Sequence, residues 1–185
     1  MNFYNRCLIK VFSLFVSFKR VLINLFVPSV FIDKRTIVEP NVMLRSQYGG
    51  TIIIGKDCYI SSGAIMLTHG GDIKIGNYST INPYTIIYGQ GGVKIGNGVR
   101  IAAHCTIVPS NHRYDNPNEF IFKQGLSKQG IVIEDDVWLG TGVKVLDGVT
   151  IKRGCIIGAN AVVTHSTEEY GVYVGIPARK IKTRK

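Results

Sequence analysis

Aliphatic residues recur along this chain at steps of six, and the step is interrupted once. The residues that occupy this position are Ile54, Ile60, Ile75, Ile81, Ile95 and Ile101 before the interruption and Ile133, Leu139, Val145, Ile151 and Ile157 after it. Four positions after each of them the chain carries a small residue, such as Cys58, Ala64 or Ser79. A repeat with one fixed step indicates a repeat architecture.

The six-residue step predicts a triangular solenoid. Six residues make one flat face and three faces make one turn, so the aliphatic residues of stacked coils point inward and form a continuous core. Coils that start at Ile54, Ile75 and Ile95 are 21 and 20 residues apart, so each turn also carries a short loop such as Gly70–Gly71. We therefore expect an all-β fold, a parallel β-helix, over residues 33–165.

The interruption lies at about residues 109–130 and includes most of the stretch VPSNHRYDNPNEF, residues 108–120. From Ile95 to Ile133 there are 38 residues, which is one coil and an excursion of about twenty. A solenoid surface is smooth, so a loop that projects from it can enclose a cleft. The excursion contains a single histidine, His112, which makes it the first candidate for a functional site.

The first 32 residues form a segment that precedes the repeat. Polar residues within residues 4–27 step by 4, 3, 4, 3 and 4, which predicts an amphipathic helix that ends at Pro28. Two placements stay open: the helix packs on the solenoid or at a subunit contact, or it lies peripherally in a membrane surface. The wide apolar face and the cations Lys19 and Arg20 favour the membrane surface. Charges inside the apolar run disfavour a full span.

Charge and cysteine content narrow the choice of partners. The net charge is +10, and much of it lies at the two ends, including a basic tail over residues 166–185. No helix-turn-helix, RNP or zinc-finger pattern accompanies these charges, so we expect no nucleic acid partner. Three of the four cysteines occupy the small position of the repeat and none forms a CxxC pair, so we expect thiols in the core.

The chain carries about twelve hexads, the run IVIEDDVWLGTGVKVLDGVTIKRGCIIGANAVVT and the ending VGIPARKIK. Over roughly residues 50–182 these features resemble the hexapeptide acyltransferase superfamily, in particular the galactoside and maltose O-acetyltransferases and the acetyltransferases of surface-polysaccharide synthesis. The resemblance implies a left-handed parallel β-helix, a homotrimer with the active site between two subunits, and acetyl-CoA as co-substrate.

The resemblance also implies roles for residues on the acceptor side. His112 matches the catalytic histidine, a general base that takes the proton from an acceptor hydroxyl; an imidazole with a pKa of about 6.5 suits that task. Asn82 matches an asparagine that contacts the acceptor, although a turn residue before Pro83 explains it equally well. Tyr84 and Tyr114 are further candidates for an acceptor pocket. Asp115 or Glu119 could orient His112, and the sequence leaves that choice open.

The resemblance assigns more residues to the coenzyme side of the site than to the acceptor side. The resemblance places Trp138, the single tryptophan, near the thioester end of the cleft, and Gly140 and Thr141 follow on the same face. Ala159 and Thr164 match positions that line the pantetheine groove. Two basic residues match positions that meet the phosphates of coenzyme A, namely Arg179 and Lys182. For Lys180, Arg184 and Lys185 we expect a solvated charge run.

We expect the other histidines to be surface or packing residues and predict no metal site. His69 lies in a glycine-flanked loop, His104 at an outward hexad position and His165 at the end of the last coil. A zinc site of the β-helical type needs three histidines in register across an interface, and His104 and His112 are eight residues apart.

The sequence therefore predicts an acetyl-CoA-dependent O-acetyltransferase that acts on a sugar hydroxyl in O-antigen or capsule biosynthesis, at the inner face of the bacterial cytoplasmic membrane. Two alternatives stay open: an N-acetyltransferase of a nucleotide-linked amino sugar, and a non-catalytic β-helical scaffold, which would not bind coenzyme A. The N-terminal segment does not resemble the acceptor-binding region of the maltose and galactoside enzymes, which favours a lipid-linked acceptor or one handled near a membrane.

Overall fold

The structure is a computed structural model that describes residue 27 and residues 29–184. Within this part of the chain the regular elements are strands and one short 3₁₀ turn, Ile121–Lys123. The strands are β1 (Val30–Ile32), β2 (Ile37–Val38), β3 (Met43–Arg45), β4 (Ile52–Ile54), β5 (Tyr59–Ile60), β6 (Ile65–Leu67), β7 (Ile73–Ile75), β8 (Thr80–Ile81), β9 (Ile86–Tyr88), β10 (Val93–Ile95), β11 (Arg100–Ile101), β12 (Thr106–Ile107), β13 (Asn111–His112), β14 (Leu126–Ser127), β15 (Ile131–Ile133), β16 (Trp138–Leu139), β17 (Lys144–Val145), β18 (Thr150–Ile151), β19 (Ile156–Ile157), β20 (Val162–Val163), β21 (Gly171–Val174) and β22 (Arg179–Thr183).

Three sheets form the faces of a triangular solenoid. Face 1 has the strand order β1-β4-β7-β10-β15-β18, face 2 has the order β2-β5-β8-β11-β16-β19-β21-β22, and face 3 has the order β20-β17-β12-β9-β6-β3. All neighbours within these faces are parallel except β21 and β22. Each coil contributes one strand to each face, so the predicted parallel β-helix is confirmed.

The register between coils builds the core. On face 2, Ile60 pairs with Ile81, Ile81 with Ile101, and Ile101 with Leu139, so equivalent hexad positions stack directly on one another. These side chains are fully buried, and each contributes about 1.5–3 kcal/mol by leaving water. A β-strand alternates its side chains, so the residue beside each of them points outward.

Cysteines fill part of the small position in this core. Cys58, Cys105 and Cys155 are buried and form no disulfide. Burial raises the pKa of the Cys105 thiol to about 11, and its Sγ donates to the carbonyl oxygen of Gly140 at 3.2 Å. Burial likewise raises the pKa of the Cys58 thiol. These thiols are packing groups, as the sequence predicts.

Two corners of the solenoid matter for the site. The 2–3 corner joins face 2 to face 3 and includes residues 82–85, 102–105, 140–143 and 158–161. The 3–1 corner joins face 3 to face 1 and includes residues 68–72, 89–92, 108–130 and 146–149. The excursion leaves the solenoid at the 3–1 corner, between β12 and β15.

The solenoid begins earlier than residue 33. Val30 and Ile32 are buried and pair with Ile52 and Ile54, so β1 belongs to the first coil. The signal is present in the sequence, since Ile32 lies one hexad before Val38. The predicted amphipathic helix over residues 4–27 lies outside the described residues, apart from its last residue. Among the residues that are described, no helix is long and apolar enough to cross a membrane.

Residues 166–184 of the basic tail are part of the folded domain. Its strands β21 and β22 extend face 2 beyond β19. Lys180 Nζ lies 2.6 Å from a carboxylate oxygen of Glu168. Arg184 Nη1 lies 3.0 Å from a carboxylate oxygen of Asp136 and donates to the Gly154 carbonyl oxygen at 2.8 Å. Lys180 and Arg184 are exposed, as expected for a solvated charge run, and each also pairs with a carboxylate; Lys185 lies outside the described residues.

The inward position should carry most of the stability. We expect Ile101→Ala to lower the free energy of unfolding by about 2–5 kcal/mol, because it leaves a cavity where stacked coils meet. The matched control is Ile53→Ala on face 1, whose side chain points outward and is 39% exposed. We expect it to cost about 1 kcal/mol or less. Equilibrium denaturant unfolding measures both, and equal losses would contradict the assigned register.

Candidate active site

The excursion is an ordered loop built on a short hairpin. Strand β13 pairs antiparallel with β14, so that Asn111 lies opposite Ser127 and His112 opposite Leu126. Nearer the tip, the amide of Gln124 donates to the carbonyl oxygens of Asn116 and Glu119, both at 2.9 Å, and accepts from the Asn116 N–H at 3.0 Å. The hairpin therefore fixes the position of His112 relative to the solenoid.

One carboxylate of the next coil holds the returning end of this loop. Asp147 accepts hydrogen bonds from the Ser127 hydroxyl at 3.0 Å and from the backbone N–H groups of Gln129 and Gly130, both at 2.9 Å. Since Ser127 pairs with Asn111, the same carboxylate steadies the strand that carries His112.

The His112 side chain is exposed to solvent. Among the described residues, no hydrogen bond, ion pair or ring contact involves its imidazole. Neither Asp115 nor Glu119 bonds to it, so the structure assigns it no orienting carboxylate within the loop. Tyr114 lies on the same loop and is 72% exposed.

The 2–3 corner gathers most of the other predicted site residues. Asn82 and Tyr84 lie there in the third coil, Gly140 and Thr141 in the fifth, and Ala159 in the sixth. Asn82 donates its side-chain N–H to the Ile101 carbonyl oxygen at 2.8 Å, which directs the amide against the neighbouring coil. The carbonyl oxygen of Thr141 accepts from the Asn160 N–H at 2.8 Å.

A glycine is required where these coils meet. A Cβ on Gly140 would lie 2.7 Å from the backbone nitrogen of Ala159 and would push the two coils apart. The glycine therefore lets the fifth and sixth coils approach closely, and the surface between Gly140, Thr141 and Ala159 stays shallow and free of bulky side chains.

A ring pair at this corner was not predicted from the sequence. The imidazole of His104 stacks on the Tyr84 ring with centroids 5.3 Å apart and an angle of 14° between the planes. Both residues have positive φ angles at equivalent turns of successive coils. The sequence could have indicated this contact, because Tyr84 and His104 are one coil apart. That spacing places His104 next to Tyr84, a candidate for the acceptor pocket.

The remaining coenzyme-side candidates are spread along the solenoid. Trp138 points outward from face 2, is 52% exposed, and lies between Arg100 and Ile156 in register. Arg179 and Lys182 lie on β22, three strands further along that face and therefore about 14 Å away. Thr164 follows β20 on face 3, and its hydroxyl lies 2.8 Å from Nδ1 of His165.

One chain does not bring the two halves of the predicted site together. His112 and Tyr114 project at the 3–1 corner, whereas Asn82, Tyr84 and Gly140 lie at the 2–3 corner, on the opposite edge of face 3. No bond or ring contact within the described residues joins these two groups. Within this same part of the chain, no group of three or more His, Cys, Asp or Glu side chains is placed to hold a metal ion.

The anchor of the loop can be tested through its mobility. We expect Asp147→Ala to speed amide hydrogen exchange across residues 111–130, because three hydrogen bonds to the loop are lost. The control is Asp115→Ala, which removes an exposed carboxylate of the loop itself. Exchange measured by mass spectrometry should change much less in that variant, and similar profiles for the two variants would argue against Asp147 as the anchor.

Comparisons with known proteins agree with this architecture. Residues 130–165 match the bacterial transferase hexapeptide (six repeats) family model. The chain is 33% identical to a probable acetyltransferase of Mycobacterium tuberculosis over 71% of its own length, and the matched region spans 44% of that relative. It is 30% identical to the putative lipopolysaccharide biosynthesis O-acetyl transferase WbbJ of Escherichia coli, over 89% of this chain and 87% of that protein.

A solved structure shows the same fold with ligands bound. A variant of AntD, an N-acyltransferase from Bacillus cereus, in complex with dTDP-4-amino-4,6-dideoxyglucose and coenzyme A, superposes with a TM-score of 0.73 at 25% identity. The superposition covers 84% of each chain. The solenoid is accordingly the left-handed parallel β-helix that the sequence predicts, and the chain belongs to the bacterial hexapeptide-repeat acyltransferases.

Proposed function

We propose that this protein transfers an acetyl group from acetyl-CoA to a hydroxyl of a surface-polysaccharide sugar, with His112 as general base. The observation that carries the proposal is the exposed His112 imidazole on an anchored hairpin, without a partner among the described residues. The similarity to WbbJ, named for lipopolysaccharide biosynthesis, supports a sugar acceptor of an O-antigen or capsule intermediate.

In the proposed reaction His112 acts twice. One imidazole nitrogen takes the proton of the acceptor hydroxyl while the oxygen attacks the thioester carbonyl carbon. The C–S bond then breaks, and the imidazolium returns the proton to the departing thiolate of coenzyme A. General catalysis of this kind contributes about 10²–10⁴-fold. The three described cysteines support direct transfer, because they are buried and are not placed to form an acyl-enzyme.

The charges of the last strand support a coenzyme site. Lys180 and Arg184 are held by Glu168 and Asp136, whereas Arg179 and Lys182 have no carboxylate partner among the described residues. The two unpaired cations are the pair that the family resemblance assigns to the phosphates. In this arrangement the thioester end lies near Trp138 and the shallow surface at Gly140, Thr141 and Ala159, and Thr164 lines the groove.

The separation of the two site halves supports assembly from several copies. His112 at one edge of face 3 would meet the 2–3 corner of a neighbouring chain if copies pack head to tail, and such contacts close into a ring. The outward side of face 3 offers an apolar contact surface of half-buried side chains. These are Ile65, Leu67, Ile86 and Tyr88 on face 3 itself and Val108 and Leu146 at its 3–1 edge. We infer a homotrimer with three equivalent sites between neighbours.

A second candidate reaction is N-acylation of a nucleotide-linked amino sugar. It is favoured by the similarity to AntD in complex with a dTDP-linked amino sugar. In either case the proposed location is the bacterial cytoplasm, with peripheral attachment to the inner face of the membrane through residues 4–27. The acetylated product distinguishes the two reactions. A hydroxyl acceptor gives an acetyl ester, which mild base cleaves, whereas an amino acceptor gives an amide, which mild base does not cleave.

Loss of the base should reduce the rate of transfer. We expect His112→Ala to lower acceptor-dependent thiol release from acetyl-CoA by at least about 100-fold, measured with a panel of sugars, amino sugars, nucleotide sugars and lipid-linked glycans. The matched control is Arg113→Ala, which removes the neighbouring exposed side chain of the same loop and should retain most of the activity. Equal rates in the unaltered protein and His112→Ala would remove His112 from the mechanism.

Assembly of the site from two copies predicts complementation. Ala159→Arg should block the coenzyme groove and His112→Ala should remove the base, so each variant alone is inactive. When the two are co-expressed and assemble at random, about a quarter of the interfaces combine an intact loop with an intact groove. The co-expressed pool should therefore regain about a quarter of the activity, and mixed trimers separated from the homotrimers about a third. Mixed oligomers without activity would contradict a site shared between copies.

A further inference from the structure

A groove of about 620 Å³ lies at the 3–1 corner and the adjoining part of face 1. Its floor is backbone, because the coils approach too closely for side chains at this corner. A Cβ on Gly71 would collide with the Gly89 carbonyl oxygen, and one on Gly91 would collide with the Pro109 carbonyl oxygen. Polar side chains form its walls. They are Asp72, Lys74, Gln90, Lys94, Gln129 and Thr150.

Two lysines of this groove are placed directly beside each other. Lys74 and Lys94 are register partners in the parallel pair β7 and β10, and both point outward. Like charges at such positions repel. Asp72 offsets one of them, since its carboxylate lies 3.0 Å from Lys74 Nζ. Lys94 has no carboxylate partner among the described residues, so the walls carry an excess of positive charge that an anion would neutralise.

Asp72 is itself fixed, which keeps Lys74 in place. Its other carboxylate oxygen accepts from the Thr51 backbone N–H and from the Thr51 hydroxyl, both at 2.9 Å. The groove therefore contains two ammonium groups. Asp72 holds that of Lys74, and that of Lys94 can turn toward a ligand.

Gln90 adds an amide with an unused acceptor. Its Oε1 is buried and has no hydrogen-bond partner within the described part of the chain. A buried acceptor without a donor is unfavourable. The Gln90 side chain lines the groove. Because its Oε1 has no hydrogen bond to lose, the side chain can turn into the groove and accept a hydrogen bond from a ligand hydroxyl.

The groove adjoins the loop that carries the proposed base. Gln129 and Gly130 line it, and both belong to the returning end of the excursion that Asp147 anchors. Ser127, two residues earlier, pairs with Asn111, the neighbour of His112. A ligand that reaches the loop with one end can therefore extend along the 3–1 corner with the other.

We propose that this groove is an acceptor subsite that binds an oxyanion attached to the acceptor sugar, with Lys94 and Lys74 on the anion and Gln90 and Gln129 on neighbouring hydroxyls. The inference rests on the proposed function and defines its substrate as an anionic glycan portion, either a glycosyl phosphate or a uronic acid. Lys74 and Lys94 lie on face 1, outside the face 3 surface that a neighbouring copy would cover.

The test compares charged and neutral forms of one accepted sugar. The acceptors are the neutral sugar, its 1-phosphate and its uronic acid, and the measured quantity is kcat/KM for each charged form divided by that for the neutral form. In Lys94→Ala we expect this ratio to fall about tenfold, the effect of losing one charge-assisted hydrogen bond. The control is Lys56→Ala, which removes the same charge from another corner and should leave the ratio unchanged. Whichever charged form shows the fall identifies the source of the anion.

A binding measurement separates this inference from the proposed function. The protein, first saturated with coenzyme A to occupy Arg179 and Lys182, is titrated with the sugar 1-phosphate and with the uronic acid by calorimetry. Binding of either one that weakens about tenfold in Lys94→Ala, and not in Lys56→Ala, supports the subsite even if no acetyl transfer is found. Absence of transfer in the unaltered protein would count against the proposed function alone. Titrations that are flat, or the same in both variants, would overturn the subsite.

Discussion

The close stacking of one coil on the next is the constraint on which the rest of this structure depends. Each inward aliphatic residue lies on its equivalent in the neighbouring coil, as Ile81 lies on Ile101, and the backbone pairs at every strand. Such a column tolerates no insertion within a face, because one added residue would turn the inward positions outward. Additional sequence can enter only at a corner, and the single long insertion, residues 109–130, does so.

This constraint explains how a smooth solenoid acquires a site. The excursion departs from the 3–1 corner, and Asp147 of the next coil accepts hydrogen bonds from its returning end. These bonds fix the loop to the stacked coils. The 2–3 corner carries a surface of small residues, among them Gly140 and Ala159. The two surfaces lie on opposite edges of one face. We propose that copies of the chain packed face to edge complete the site, and that the smoothness of face 3 is what allows that packing.

Much of this architecture could be predicted because the hexad is a local signal. The inward residues, the cysteines in the small position and the limits of the excursion all follow from spacing in the sequence. What escaped prediction depends on contacts between coils. The stacking of His104 on Tyr84 and the ion pair of Arg184 with Asp136 join residues that are one coil or more apart. The hexad pattern predicts whether a side chain points inward or outward. It does not predict which residue of another coil that side chain contacts. The assigned roles of Asn82, Trp138 and Lys182 come from the family resemblance and stay predictions.

The most direct test of a site shared between copies is a crystal structure of the protein with coenzyme A. We expect a ring of three chains in which the thiol of each coenzyme lies beside His112 of one copy and beside the Gly140–Thr141 surface of the next, with its phosphates near Arg179 and Lys182. Coenzyme A bound within a single chain and remote from every His112 would show that the site is not shared between copies.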